Sequence, residues 1–222
     1  MAVKDIRPQE GPQEAFLASS ADIVIYGGAA GGGKTFAILM EPLRHVDVAD
    51  FGAVIFRRES VQITNEGGLW DTAMSIYPLV GGSPKTLPKP MFKFPSGAKI
   101  TFAHLNHETD VLGWQGSQVP LIEFDELTHF TRTQFFYMLS RNRSTCGVRP
   151  YVRATCNPDA DSWVAELIAW WIDQTTGLPI MERSGVVRWM VRVSDQIRWA
   201  DTPEQLSELH GVAIEDCKSL TF

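Results

Sequence analysis

Gly28-Ala29-Ala30-Gly31-Gly32-Gly33-Lys34-Thr35 has the spacing G-x-x-x-x-G-K-[ST], with which a backbone wraps a string of phosphates. Glycines let successive N–H groups turn inward around phosphate oxygens. A helix starting directly afterwards presents its positive end to the same charge. Lys34 then places a point charge near the β- and γ-phosphates, and the Thr35 hydroxyl is a ligand for Mg²⁺. The ligand this chemistry calls for is ATP with its magnesium ion. The bland alternative is a glycine-rich turn with an incidental Lys-Thr. The apolar run Ile23-Val24-Ile25-Tyr26 before the loop and the helix-capable Phe36-Ala37-Ile38-Leu39-Met40 after it argue against that.

Two further stations have complementary chemistry. Val119 to Phe124 is an apolar run ending in Asp125 and Glu126, ninety residues beyond Thr35. Asp125 at a strand tip would hold Mg²⁺ through its water shell, and Glu126 would orient and deprotonate an attacking water. Glu123 interrupts the apolar run and is expected to pair with a basic neighbour. Tyr151 to Cys156 reads as another strand, with a polar tip at Thr155, Asn157 and Pro158. Ligands gather at the carboxyl ends of parallel strands, so Thr155 and Asn157 there would bond the γ-phosphate or the lytic water. On spacing alone, an ordinary Asn-Pro turn competes with that role.

Elements able to position these stations can be read along the chain. Helices are expected over Pro12 to Ala18, Thr35 to Pro42, Thr131 to Arg141, Asp161 to Gln174 and Thr202 to His210. Strands are expected over Asp22 to Tyr26, Phe51 to Arg57, Val119 to Phe124, Tyr151 to Cys156 and Val186 to Val193. Met91 to Phe94 and Ala98 to Ala103 form a hairpin about a Pro-Ser-Gly turn, and Gly81 to Pro90 is loop. Strands alternating with helices imply a mainly parallel sheet covered on both faces, in a single domain over residues 1–222.

Composition narrows the function classes. Of the 222 residues, 44% are hydrophobic and 21% charged, with a net charge of −6. That excludes a generally basic nucleic-acid coat while leaving room for a local basic stripe. No apolar run approaches the roughly 20 residues of a membrane span, and Met1 to Pro12 has no signal core, so residence in the cytoplasm is expected. Cys146, Cys156 and Cys217 form no C-x-x-C pair, and the odd count suits a reducing compartment. His104 and His107 are the one close histidine pair, better read as surface than as metal ligands.

Taken in order, the stations resemble the ATPase domain of the large terminase subunit of tailed phages, the motor that packages viral DNA. The likeness covers nearly the whole chain. Gln13 precedes the first strand, and the G-G-x-x-G-x-G-K-T loop follows. Next come Val54-Ile55-Phe56-Arg57-Arg58, the Ser-Gly hairpin, and Leu112-Gly113-Trp114-Gln115-Gly116 leading into the Asp-Glu strand. Leu139-Ser140-Arg141-Asn142-Arg143 and Ala154-Thr155-Cys156-Asn157-Pro158 close the set. The resemblance implies a P-loop NTPase fold of the RecA/ASCE kind, a three-layer α/β sandwich carrying an added β-hairpin. It implies Mg²⁺-dependent ATP hydrolysis, a sensor role for Thr155 and Asn157, and an adenine contact from Gln13. It also implies double-stranded DNA, a portal protein and a small terminase subunit as partners. The subunit is expected as a monomer when isolated and as a homo-oligomeric ring at a procapsid in the host cytoplasm.

Two departures from the family pattern matter. Ala29, Ala30 and glycines stand where terminases commonly carry an arginine in the phosphate loop, and Leu112 stands where many carry another. The arginine that stabilises transition-state charge is therefore open among Arg57, Arg58, Arg141 and Arg143, in cis or from a neighbouring subunit. No acidic triad on apolar strands follows residue 158, so the family's nuclease domain is not expected within these residues. The chain reads as an isolated ATPase domain, with Lys218 to Phe222 resembling a strand cut short. DNA contact is expected from Lys85, Lys89, Lys93 and Lys99 or from the Arg141 to Arg153 stretch. A helicase motor would need a second domain, a GTPase switch would need an Asn-Lys-x-Asp string that is absent, and an inert scaffold would lack Lys34, Thr35 or Glu126, all of which are present.

Overall fold

The computed structural model describes residues 6–28 and 31–222. Ala29 and Ala30 of the phosphate loop lie outside the described residues. In chain order the strands are β1 (Ile23–Gly27), β2 (Gly52–Arg57), β3 (Ser83–Lys85), β4 (Met91–Lys93), β5 (Lys99–His104), β6 (Leu121–Phe124), β7 (Tyr151–Cys156), β8 (Arg188–Val193), β9 (Gln196–Ala200) and β10 (Lys218–Thr221). The helices are α1 (Pro12–Ala18), α2 (Lys34–Met40), α3 (Ser60–Thr64), α4 (Leu69–Ile76), α5 (Arg132–Leu139), α6 (Trp163–Ile168) and α7 (Pro203–His210).

All ten strands join one sheet in the order β3-β4-β5-β2-β6-β7-β1-β10-β8-β9. The centre, from β5 to β10, is parallel throughout, and each flank adds an antiparallel pair. Strands buried on both faces should be apolar throughout while sorting their side chains with period two. In β2, Val54 and Phe56 pack with Phe124, Phe135 and Val164, on the side of α5 and α6. Ala53 and Ile55 pack on the other side with Ile38, Leu39, Leu69 and Ala73, beneath α2 and α4. By the same alternation Glu123, Asp125, Arg153 and Thr155 point to the α2 side.

Several expectations need adjusting. Helices α3 and α4 add to the expected set, because Gly67 and Gly68 interrupt an already short apolar pattern; a Glu59–Gln62 capping box starts α3. Ser83–Lys85 lies in the stretch read as loop, yet pairs with β4 as the outermost strand. The helix expected to run to Gln174 leaves α-geometry after Ile168 and makes one 3-10 turn, Ala169–Trp171. Strand β9 is a further addition. The terminal strand β10 is not marginal: it lies between β1 and β8, parallel to β1, with Ile23 opposite Leu220.

Candidate nucleotide site

The phosphate loop leaves the carboxyl end of β1 and enters α2. Its last glycine, Gly33, has φ +69°, a left-handed backbone that favours glycine, and a Cβ there would fall 2.1 Å from Gln13 Nε2 and displace that amide. Gln13 is buried. Its Nε2 donates to Gly33 O at 2.9 Å and its Oε1 accepts from Gln9 N at 2.8 Å. The amide placed by resemblance at adenine thus braces the loop while its residue lines the neighbouring cleft. Tyr26 Oη donates to Gly32 O at 2.9 Å, a second brace. Lys34 Nζ donates to Gly28 O at 2.7 Å, which holds the ammonium across the loop mouth. A cleft of about 330 Å³ opens here between Gln9, Pro12, Gln13, Tyr26, Gly28 and Lys34.

The acid pair stands at the carboxyl end of β6, two strands from β1. Thr155 ties the acids to β7. Its hydroxyl donates to Asp125 Oδ1 at 2.6 Å and accepts from Glu126 N at 3.0 Å. Arg57, at the carboxyl end of β2, reaches both acids: Nε lies 2.8 Å from Asp125 Oδ2 and Nη1 lies 3.1 Å from Glu126 Oε2. The first is a charge contact, because the Nε–H does not point along it and both atoms lack an aligned hydrogen bond. His129 Nδ1 also lies 3.1 Å from Glu126 Oε2. Burial pushes the Asp125 carboxyl above the usual aspartate range, against the pull of Arg57 and the Thr155 hydrogen bond. Glu126 occupies the left-handed region at φ 64°, an uncommon conformation for a residue with a Cβ.

The loop and the acids lie at one edge of the sheet on either side of β7, with Gly27 opposite Cys156 and Phe124 opposite Ala154. Burial pushes the Cys156 thiol up to about 12, against the pull of the Lys34 charge. Thr35 is the second residue of α2. Asn157 is exposed one residue past β7.

The remaining arginine candidates lie apart from the acids. Arg58 Nη1 donates to Leu105 O at 3.1 Å and Gln134 Oε1 at 3.0 Å, so it ties the segment after β5 to α5. Arg141 lies over the Tyr137 ring, and Arg141 O accepts from Val119 N ahead of β6. Arg143 is exposed two residues on. Asn142 Nδ2 bonds Val119 O, Pro120 O and Tyr151 O, which fixes this segment at the amino ends of β6 and β7. At about 3.3 Å per residue, Arg141 and Arg143 are a whole strand length from Glu126 and out of its reach within one subunit.

A second polar cluster escapes sequence reading. Glu41, Glu123, Tyr151 and Arg153 are all buried. Arg153 Nε lies 3.8 Å from Glu41 Oε1, and its guanidinium donates to Ser19 O, Ala21 O and Val152 O. The expected basic neighbour of Glu123 is Arg153, its register partner across β6 and β7, and their charges interact. No hydrogen bond reaches either Glu123 oxygen. Burial and the nearby Glu41 push the Glu123 carboxyl well above the usual range.

A strand–glycine loop–helix unit facing an acid pair, on a parallel sheet sandwiched by helices, defines a P-loop NTPase domain. Within that class the chain belongs to the family described as terminase large subunit, T4likevirus-type, N-terminal, whose profile matches residues 25–215. No curated protein matches the chain. Solved structures agree in fold. The large terminase of a thermophilic bacteriophage superposes with TM-score 0.55 at 16% identity, over 72% of this chain and 42% of that one. The HK97 bacteriophage large terminase gives 0.52 at 13%, over 70% of this chain and 34% of its own. The N-terminal domain of the bacteriophage phi29 DNA packaging ATPase gives 0.53 at 12%, over 84% and 93%. The chain thus spans less than half the length of the first two large terminases.

Proposed function

We propose that this chain binds Mg-ATP, hydrolyses it, and uses the energy to move double-stranded DNA into a procapsid, as the ATPase part of a large terminase subunit. One observation carries the chemical half of that reading: Arg57 and Thr155 together hold Asp125 and Glu126 at the carboxyl end of β6, two strands from the β1 end where the phosphate loop begins. The residues suit a magnesium ion. Asp125, whose Oδ2 lies 2.8 Å from Arg57 Nε, and the Thr35 hydroxyl are the oxygen donors that would hold it. When bound, the ion would offset the negative charge of the phosphates.

The chain's own residues divide the work. Backbone N–H groups of the loop wrap phosphates, and Lys34 offsets their charge. Glu126 takes a proton from the attacking water. Thr155 fixes the spacing of the two acids and, with Asn157, senses the γ-phosphate. Arg57 stands at the catalytic edge and acts in cis on the charge that builds during γ-phosphoryl transfer. Arg141 and Arg143, at the opposite edge, would serve only a neighbour's site.

The portal, the small subunit, a ring of copies and the host cytoplasm belong to this proposal through the family. The deciding experiment is steady-state hydrolysis by Glu126→Gln alongside ATP binding. Retained binding with turnover reduced about 10²- to 10⁴-fold supports the assignment. Turnover within twofold of the parent rejects it.

A further inference from the structure

From Thr72 to His107 the chain holds four lysines and no aspartate or glutamate, in a protein of net charge −6. The fold gathers three of them. Lys93 and Lys99 are directly opposed across β4 and β5, and Ser83 opposes Lys93 from β3. Lys85, two residues beyond Ser83, therefore shares their face on the diagonal. Side chains so related lie about 5 Å and about 7–8 Å apart. None of the three pairs with an acid among the described residues. The ammonium groups of Lys85 and Lys99 push the Lys93 amine below the usual lysine value, so the cluster repels itself. Lys89 adds a fourth charge nearby, held over the Trp114 ring at 4.5 Å.

Lysine is a common guard of sheet edges. That explains Lys85 on the outermost strand, but not Lys93 and Lys99 on the two strands inside it. The rival stretch from Arg141 to Arg153 is largely committed: Arg141 to Tyr137, Arg149 to Asp22, and Arg153 to buried backbone oxygens and Glu41.

We propose that the face of β3, β4 and β5 bearing Lys85, Lys93 and Lys99 is the surface on which this domain grips the phosphate backbone of duplex DNA. Duplex DNA carries one negative charge per about 1.7 Å of its axis, so it can neutralise a dense cationic face that the protein leaves uncompensated. Lysine is a point charge without bidentate geometry, which suits a motor that must hold any sequence. The face lies at the amino end of β5. Lys99 is opposite Gly52, five residues before Arg57, or roughly 17 Å from the catalytic edge along the strand. The choice of DNA among polyanions rests on the packaging function proposed above; the location rests on the lysines.

The test compares this chain with the triple variant Lys85→Gln, Lys93→Gln, Lys99→Gln and with Arg141→Gln, Arg143→Gln. Binding of a random-sequence duplex is measured by anisotropy from about 50 to 200 mM salt, the range over which phosphate contacts weaken most visibly. ATP hydrolysis, thermal unfolding and sedimentation are measured on the same samples. The expected result is a triple variant whose log-affinity against log-salt slope falls by about 2.7, the value for three lost phosphate contacts. Its hydrolysis is unchanged, and the arginine variant binds as the parent does. Should the triple variant unfold, Lys93→Gln alone is expected to lower the slope by about 0.9. Parental affinity and slope in the lysine variants overturn the proposal, as does a parent chain that binds no duplex at the lowest salt. A change in self-association with DNA affinity intact assigns the face to a second copy and also overturns it. Hydrolysis lost in the parent itself, with lysine-dependent DNA binding retained, overturns the ATPase reading and leaves this one standing.

Discussion

Glu123 and Asp125 point to one face of the sheet from neighbouring positions, yet the acidic clusters they belong to behave oppositely. Asp125 and Glu126 are met by Arg57, Thr155 and His129, and Glu126 is 27% exposed. Glu41 and Glu123 share Arg153 in the interior, where Glu41 also meets the half-exposed Arg44 at 3.4 Å, and three of their four carboxylate oxygens have no hydrogen bond. Ion pairs open to solvent can exchange partners at small cost, whereas removing one member of a buried set leaves an uncompensated charge. Under the proposed hydrolysis, the first cluster is the one whose charges change during a cycle. The second holds α2, which begins in the phosphate loop, against β7.

The sharpest way to break this contrast is at Arg57. Arg57→Gln is expected to lower turnover by about 10³- to 10⁵-fold, the range for a transition-state arginine, with a smaller loss of thermal stability than Arg153→Met, because Asp125 keeps its Thr155 hydrogen bond and Glu126 is part-exposed. Mixing it with Glu126→Gln subunits tests the cis assignment, because restored activity in the mixture would place the arginine in trans. Glu126→Gln comes next, with the loss given above. Arg153→Met exchanges the kinds of effect: it should destabilise the fold by about 3–5 kcal/mol in urea denaturation, with kcat of the folded fraction close to parental. A folded fraction without activity would mean that the buried cluster takes part in chemistry.

Glu123→Gln is the mildest. The Glu123 carboxyl lies well above its ordinary 4.5 in the folded chain, so the folded state holds a proton that the unfolded state gives up. Below that ordinary value both states are protonated and nothing is lost. As pH rises through it and toward the folded value, stability falls by up to about 1.4 kcal/mol per unit. The glutamine variant should lose this slope, read from urea unfolding curves at two pH values about one and two units above the ordinary carboxyl value. Equal slopes in parent and variant would place the ionised carboxylate in the folded interior.

What the sequence made legible is what short-range backbone physics controls. A phosphate loop needs its glycines, lysine and flanking elements within a few residues, so its string carries its structure. Asp125 and Thr155 are readable because an apolar run ending in a polar residue marks the tip of a buried strand. The buried cluster is not readable: Glu41, Glu123 and Arg153 lie far apart in the chain and meet only through the strand order. Gln13 shows the same limit, since nothing in α1 reveals that its amide faces Gly33 O. Choosing Arg57 over Arg58 requires knowing which way each side chain leaves the end of β2. The place of β10 between β1 and β8 follows from tertiary pairing alone.

The left-handed backbone at Glu126 has a consequence for evolution in the laboratory. That conformation costs a non-glycine residue on the order of 1 kcal/mol or more, and glycine would adopt it freely. A library selected for thermal survival alone should therefore enrich Glu126→Gly and yield sturdier, inert proteins. A library selected for work should keep the glutamate at every round. The position would record in its own substitution history which of the two pressures had been applied.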